Sequence, residues 1–100
     1  MTWSAPGTVK VCTFELRDAD GSLYDPPSVT IRAGLIDNEP GLSLYEGEAI
    51  EHPSTGIFRV EHPCPDAGEY GARLEAFNAE SELRGAVEVY WTIRASRLIS

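Results

Sequence analysis

The chain has 100 residues, of which 42% are hydrophobic and 24% charged, enough for one globular domain of ordinary composition and no second core. Sixteen acidic residues against eight basic ones leave a formal charge of −8, which excludes a nucleic-acid backbone and an anionic membrane surface as partners, since both demand a basic footprint. No run approaches the ~20 apolar residues of a membrane span, no signal sequence precedes the first apolar segment, so cytoplasmic synthesis and assembly are expected, and two cysteines are too few for a disulfide framework.

After a leader, residues 1–7, the segment Thr8 to Leu16 alternates Cys12, Phe14 and Leu16 on one face with Val11, Thr13 and Glu15 on the other, the period of a half-buried strand. The polar stretch 17–22 makes a turn, and Asp25-Pro-Pro ends any ladder because proline has no N–H to donate. Ser28 to Ile36 is a second strand with Val29 and Ile31 in register, closed by Asp37-Asn-Glu-Pro-Gly. Leu42 to Ala49 reads as a third strand; Glu46 and Glu48 place it at a sheet edge.

Pro53-Ser-Thr-Gly turns the chain into Ile57 to His62, where Phe58 and Val60 alternate with Arg59 and Glu61. The following Pro63-Cys-Pro-Asp-Ala-Gly is expected to hold neither helix nor regular ladder. Glu69 to Phe77 carries Tyr70, Ala72, Leu74 and Ala76 on one side, and Gly71 within it favours a strand over the competing helix. The last and longest strand, Leu83 to Ala95, sets Val87, Val89, Trp91 and Ile93 against Glu88, Tyr90, Thr92 and Arg94. Six strands, with room for a seventh, separated by Gly, Pro, Asp and Asn clusters predict an all-β, immunoglobulin-like antiparallel sandwich over residues 8–95, flanked by an N-terminal arm (1–7) and a C-terminal tail (96–100).

Candidate chemistry is sparse. Asp18, Asp20 and Asp25 around Gly21 have the carboxylate density of a calcium loop, but no spaced bidentate glutamate follows, and Asp-Gly is itself a common turn. His62 and Cys64, joined by Cys12 or His52, would supply zinc-type ligands at a spacing that matches no standard module. No nucleophile elbow, phosphate loop or acid–base set is present, so the expectation is a protein without catalytic residues, metal or cofactor.

Cys12 and Cys64 lie 52 residues apart, close to the inter-sheet disulfide separation of immunoglobulin domains, although Cys64 sits between two prolines. Three readings stay open: free thiols, an intrachain bridge, or a bridge between subunits through a turn-exposed Cys64. Trp3, in a leader of small residues, either covers its own domain or inserts into a neighbour, and Leu98 and Ile99 near the end of the sequence raise the same question. Trp3, Leu98 and Ile99 are therefore the candidate partner-binding residues. Tyr24, Tyr45 and Tyr90, with Arg32, Arg59 and Arg73, are candidates for the outer surface, as interface residues or as an ordinary solvated face.

The order Asp18-Ala-Asp-Gly-Ser-Leu-Tyr-Asp-Pro, Ser28-Val-Thr-Ile-Arg, Ser54-Thr-Gly-Ile-Phe-Arg-Val and Ala67-Gly-Glu-Tyr-Gly-Ala-Arg-Leu-Glu-Ala resembles a family of small immunoglobulin-like virion proteins of tailed bacteriophages and prophages. The resemblance spans residues 8–95 through turn and core signals; Tyr70 and Leu74 stand where that family favours tryptophan, and 36–50 is unusually acidic. It implies a structural protein of the virion head or neck, at the capsid–tail junction or decorating the capsid, in several copies bound to capsid, portal or neck proteins. A ligand-binding sandwich of carbohydrate-binding or adhesin type, using the loops at Asp18–Asp25 and Asp37–Glu39, is the alternative.

Overall fold

The structure, a computed structural model, describes residues 7–37 and 41–94 and the backbone of residues 3–4. Among the described residues eight strands are laid down in chain order: β1 (Trp3–Ser4), β2 (Thr8–Glu15), β3 (Ser28–Leu35), β4 (Ser43–Glu46), β5 (Glu51–Ser54), β6 (Ile57–Cys64), β7 (Gly68–Phe77) and β8 (Leu83–Ile93). They form one sheet of five strands, in the order β1-β8-β7-β3-β4, and one of three, β2-β6-β5. All neighbours are antiparallel except β1, which runs parallel to β8 with Trp3 opposite Thr92. Immunoglobulin domains divide their strands in the same way, with B, E and D facing C′, C, F and G.

The alternating residues meet between the sheets. Phe14, Ile31, Val60 and Leu74 are at most 1% exposed, and Ala33, Ala72 and Ala76 let the layers approach. Burying each large side chain contributes about 1.5–3 kcal/mol, so this cluster holds the two sheets together.

A second immunoglobulin signature stands at the turn from β6 into β7. The Tyr70 hydroxyl donates to the Asp66 carbonyl at 2.8 Å and accepts from the Asp66 amide at 3.3 Å, closing the corner on a side chain four residues downstream. This is the tyrosine corner, and it places Ala72, two residues on, where antibody domains carry the second cysteine of their inter-sheet bridge. Cys12 occupies the first cysteine's strand, so the site of the bridge is present with only one sulfur.

The intrachain and intersubunit readings of the cysteines are both corrected. Thr8 lies opposite Cys64 and Cys12 opposite Val60, so the two cysteines are four positions apart along the β2–β6 pair. That is about 13 Å, well beyond the ~7 Å limit for a disulfide. Both are free and buried, and Cys64 is fully enclosed rather than exposed in a turn, so neither presents sulfur to a neighbour.

The strand continues through Pro63 because of bonding parity. Leu16 donates to the Gly56 carbonyl, which makes the even-numbered residues of β2 and β6 the hydrogen-bonded pairs. The ring nitrogen of Pro63 therefore faces away from β2, on the side where β5 pairs only near residues 57–59, and no ladder bond is lost.

The acidic segment also differs from expectation. Strand β4 stops at Glu46, Gly47 turns at φ +60°, and a short 3-10 turn over Gly47–Ala49 carries the chain across to β5 in the other sheet. Pro53 lies within β5, and the hairpin turn begins after it.

Candidate interaction surfaces

Residues that alternate with the core form the outer face of the five-stranded sheet, and registry sets them in rows. One row runs Arg32, Arg73 and Glu88 across β3, β7 and β8, with Leu44 of β4 opposite Arg32. Arg73 binds Glu88 at 2.7 Å and Glu75 at 3.1 Å, Arg32 reaches Glu75 at 3.4 Å, and the Tyr90 hydroxyl donates to Glu88 at 3.0 Å. The bonds from Arg73, then Tyr90, hold the Glu88 carboxyl below its ordinary range.

The next row has no charge. Gly34 lies opposite Gly71, and Gly71 opposite Tyr90. A Cβ on Gly71 would meet the Tyr90 ring at 2.9 Å and Ile36 at 3.0 Å, and one on Gly34 would meet the Leu42 side chain at 2.9 Å. The paired glycines thus let Tyr90, Ile36 and Leu42 lie down on the sheet, bordering an open concavity of about 420 Å3 closed on its other side by Arg32 and Arg73. Tyr90 stays 64% exposed, with Ile36 and Leu44 close to half exposed, so apolar surface is left to solvent in a chain of net charge −8.

The free edge of β2 is the second exposed feature. Val9 and Val11 are 52% and 44% exposed, and among the described residues no strand pairs with this edge.

Tyr45, a candidate for the outer surface, and His62, a candidate zinc-type ligand, point into the molecule. Tyr45 Oη and His62 Nδ1 share a hydrogen bond of 2.6 Å across the two sheets, and His62 is 5% exposed, with its ring edge-on to Tyr45 and Tyr70. Burial pushes the His62 pKa below 6.5 and raises that of the Tyr45 hydroxyl. Beside them Trp91 stacks on Tyr70, directs its indole N–H at Cys64 Sγ (3.4 Å) and carries the Lys10 ammonium over its ring. Tyr24 packs against the core, which leaves Tyr90 as the tyrosine on the surface.

In the candidate ligand loop Asp18–Asp25 the carboxylates are engaged by backbone amides, while Asn38 and Glu39 of the second candidate loop lie outside the described residues. Asp18 accepts from the amides of Asp20 and Ser22, and Asp25 accepts from the Gly56 amide at 2.7 Å and binds His52 at 2.9 Å. His52 stacks on Phe58 and His62 is engaged by Tyr45, so the zinc-type ligands are not brought together. No group of three or more His, Cys, Asp or Glu side chains among the described residues is placed to hold a metal ion.

The backbone of Trp3 pairs within its own sheet; its ring lies outside the described residues, as do Leu98 and Ile99. The glycine pair escaped a reading by strands because it needs the β3–β7 registry, although Gly34 and Gly71 each interrupt an alternating run. The Asp66-x-Gly-x-Tyr70 spacing was the available signal for the corner. Comparison with known protein families, with curated proteins and with solved structures finds no match to this chain.

Proposed function

We propose that the chain is a non-enzymatic structural domain of a tailed-phage virion, held in several copies at the head or neck and docked on capsid, portal or neck proteins through the outer face of its five-stranded sheet. The observation that carries the docking is the uncharged row of Leu42, Gly34, Gly71 and Tyr90, bordered by Ile36 and open to solvent beside a paired Arg–Glu network. Such a patch has the anatomy of an interface: an aromatic and aliphatic centre with a charged rim. The motif order over residues 8–95 supports the virion context.

Each contact need contribute only a few kcal/mol, because a symmetric particle engages many copies at once. Arg32 holds its carboxylate partner loosely and is free to meet an acidic group on the partner.

Mass spectrometry of purified particles from a host carrying this gene tests the reading. The chain is expected in the particle, and Tyr90→Ala or Ile36→Asp is expected to deplete it there while the isolated domain keeps its unfolding midpoint. Absence of the wild-type chain from the particles, or full incorporation of both variants, overturns it.

A further inference from the structure

The edges of the two sheets are not treated alike. β1 has two residues, β4 four, and β5 four including Glu51 and Pro53, the usual ways of blunting an edge. β2 has eight residues, no proline, and an outward row of Val9, Val11, Thr13 and Glu15 whose one charge stands at its last position, while Lys10 reaches over the Trp91 ring. The bonding parity that spares Pro63 has a second effect here: even-numbered residues of β2 bond to β6, so Val9, Val11 and Thr13 direct both backbone N–H and C=O at the open side.

We infer that this edge pairs with the same edge of a second copy, antiparallel about a two-fold axis through Val11, joining two three-stranded sheets into one. Parity restricts the register. Residues that point outward must face residues that point outward, so the axis falls on a residue, and the nearest choices are Val11 and Cys12. An axis on Cys12 sets Val9 against the partner's Glu15. An axis on Val11 sets Val11 against the partner's Val11 and Val9 against the partner's Thr13, while Lys10 meets Cys12 and no like charges are opposed. β-branched pairs directly opposite are the favourable cross-strand combination.

Three hydrogen-bonded residue pairs give about six inter-chain bonds. A second copy suits the edge for a further reason: an isologous pair uses up both open edges and closes, where a head-to-tail contact would propagate. The contact is strand to strand and at the small end of stable interfaces, so a reversible dimer is expected rather than a permanent one. The inference stands apart from the virion reading, because it concerns a different surface and needs no other protein.

Sedimentation velocity on the full chain, from ~10 μM to ~1 mM at physiological salt, tests it. The expected result is a concentration-dependent dimer whose dissociation constant rises at least about tenfold in Val11→Lys, where two ammonium groups would face each other. Val11→Glu is expected to be equally impaired alone, and an equimolar mixture of the two variants to recover the dimer, which only a register that opposes these positions produces. Glu80→Gln, in the exposed turn between β7 and β8, leaves dimerisation unchanged. A chain that stays monomeric across the range, a dimer indifferent to Val11→Lys, or a mixture that fails to recover while both variants keep native circular dichroism overturns the inference.

Discussion

The interior has two parts held by different forces. Around Phe14, Ile31, Val60 and Leu74 the sheets meet through aliphatic and aromatic carbon, with the Cys12 thiol buried among it. Toward the turn between β6 and β7, the same space holds His62, Cys64, Tyr70 and Trp91, joined by Tyr45 from the edge strand and fastened by hydrogen bonds and ring contacts. A carbon core loses stability in proportion to volume removed and ignores pH; a polar interior loses it when a bond is left without its partner or a proton is added. The two ends of one sandwich should therefore fail under different perturbations.

The largest effect belongs to the carbon end. Leu74→Ala is expected to cost about 2–5 kcal/mol in urea unfolding at any pH in the neutral range, because Leu74 is completely buried and the layers cannot fully collapse around it. At the polar end, Tyr70→Phe keeps the ring stack on Trp91 but removes the bonds to Asp66, and a loss of about 1–2 kcal/mol is expected by the same measurement.

A smaller effect separates the ends by pH. His62 has a folded pKa below 6.5, so the folded state binds fewer protons than the unfolded one as the solution is acidified. Its contribution is complete above about pH 6.5 and is lost as pH falls from there through the folded value. The groups facing it are Tyr45, Tyr70, Cys64 and, opposite it in register, Lys10; no carboxylate is among them to offset a new charge. His62→Gln should therefore flatten the wild-type decline of stability between about pH 6.5 and 5, whereas Leu74→Ala should lower the curve without changing its slope. A wild-type chain with the same slope as His62→Gln would erase the distinction between the two ends.

The smallest effect is a control on the outside. Arg73→Ala removes two short ion pairs, yet these lie in solvent, and no measurable shift of the unfolding midpoint is expected.

The two ends also differ in how far sequence reveals them. The carbon core is read almost residue by residue, because Cys12, Phe14 and Leu16 or Ala72, Leu74 and Ala76 alternate within unbroken strands and period alone assigns their face. The polar end depends on pairing between segments. Tyr45 turns inward because β4 registers with Ile31, and Pro63 stays in a strand because of which side its neighbour bonds, and neither fact is local. The docking row is hidden for a related reason: Gly34 and Gly71 acquire meaning only as opposed residues, when Tyr90 can lie across them.

Two thiols without a bridge give each end of the molecule its own clock. Cys12 lies in the carbon core, where burial lifts its pKa to about 11, and Cys64 is sealed among the polar groups, so neither reacts until its surroundings open. The alkylation rate of Cys64 timed against that of Cys12 in one sample measures how often the polar end breathes while the rest of the sandwich stays shut. Acidification should widen the gap between the two rates.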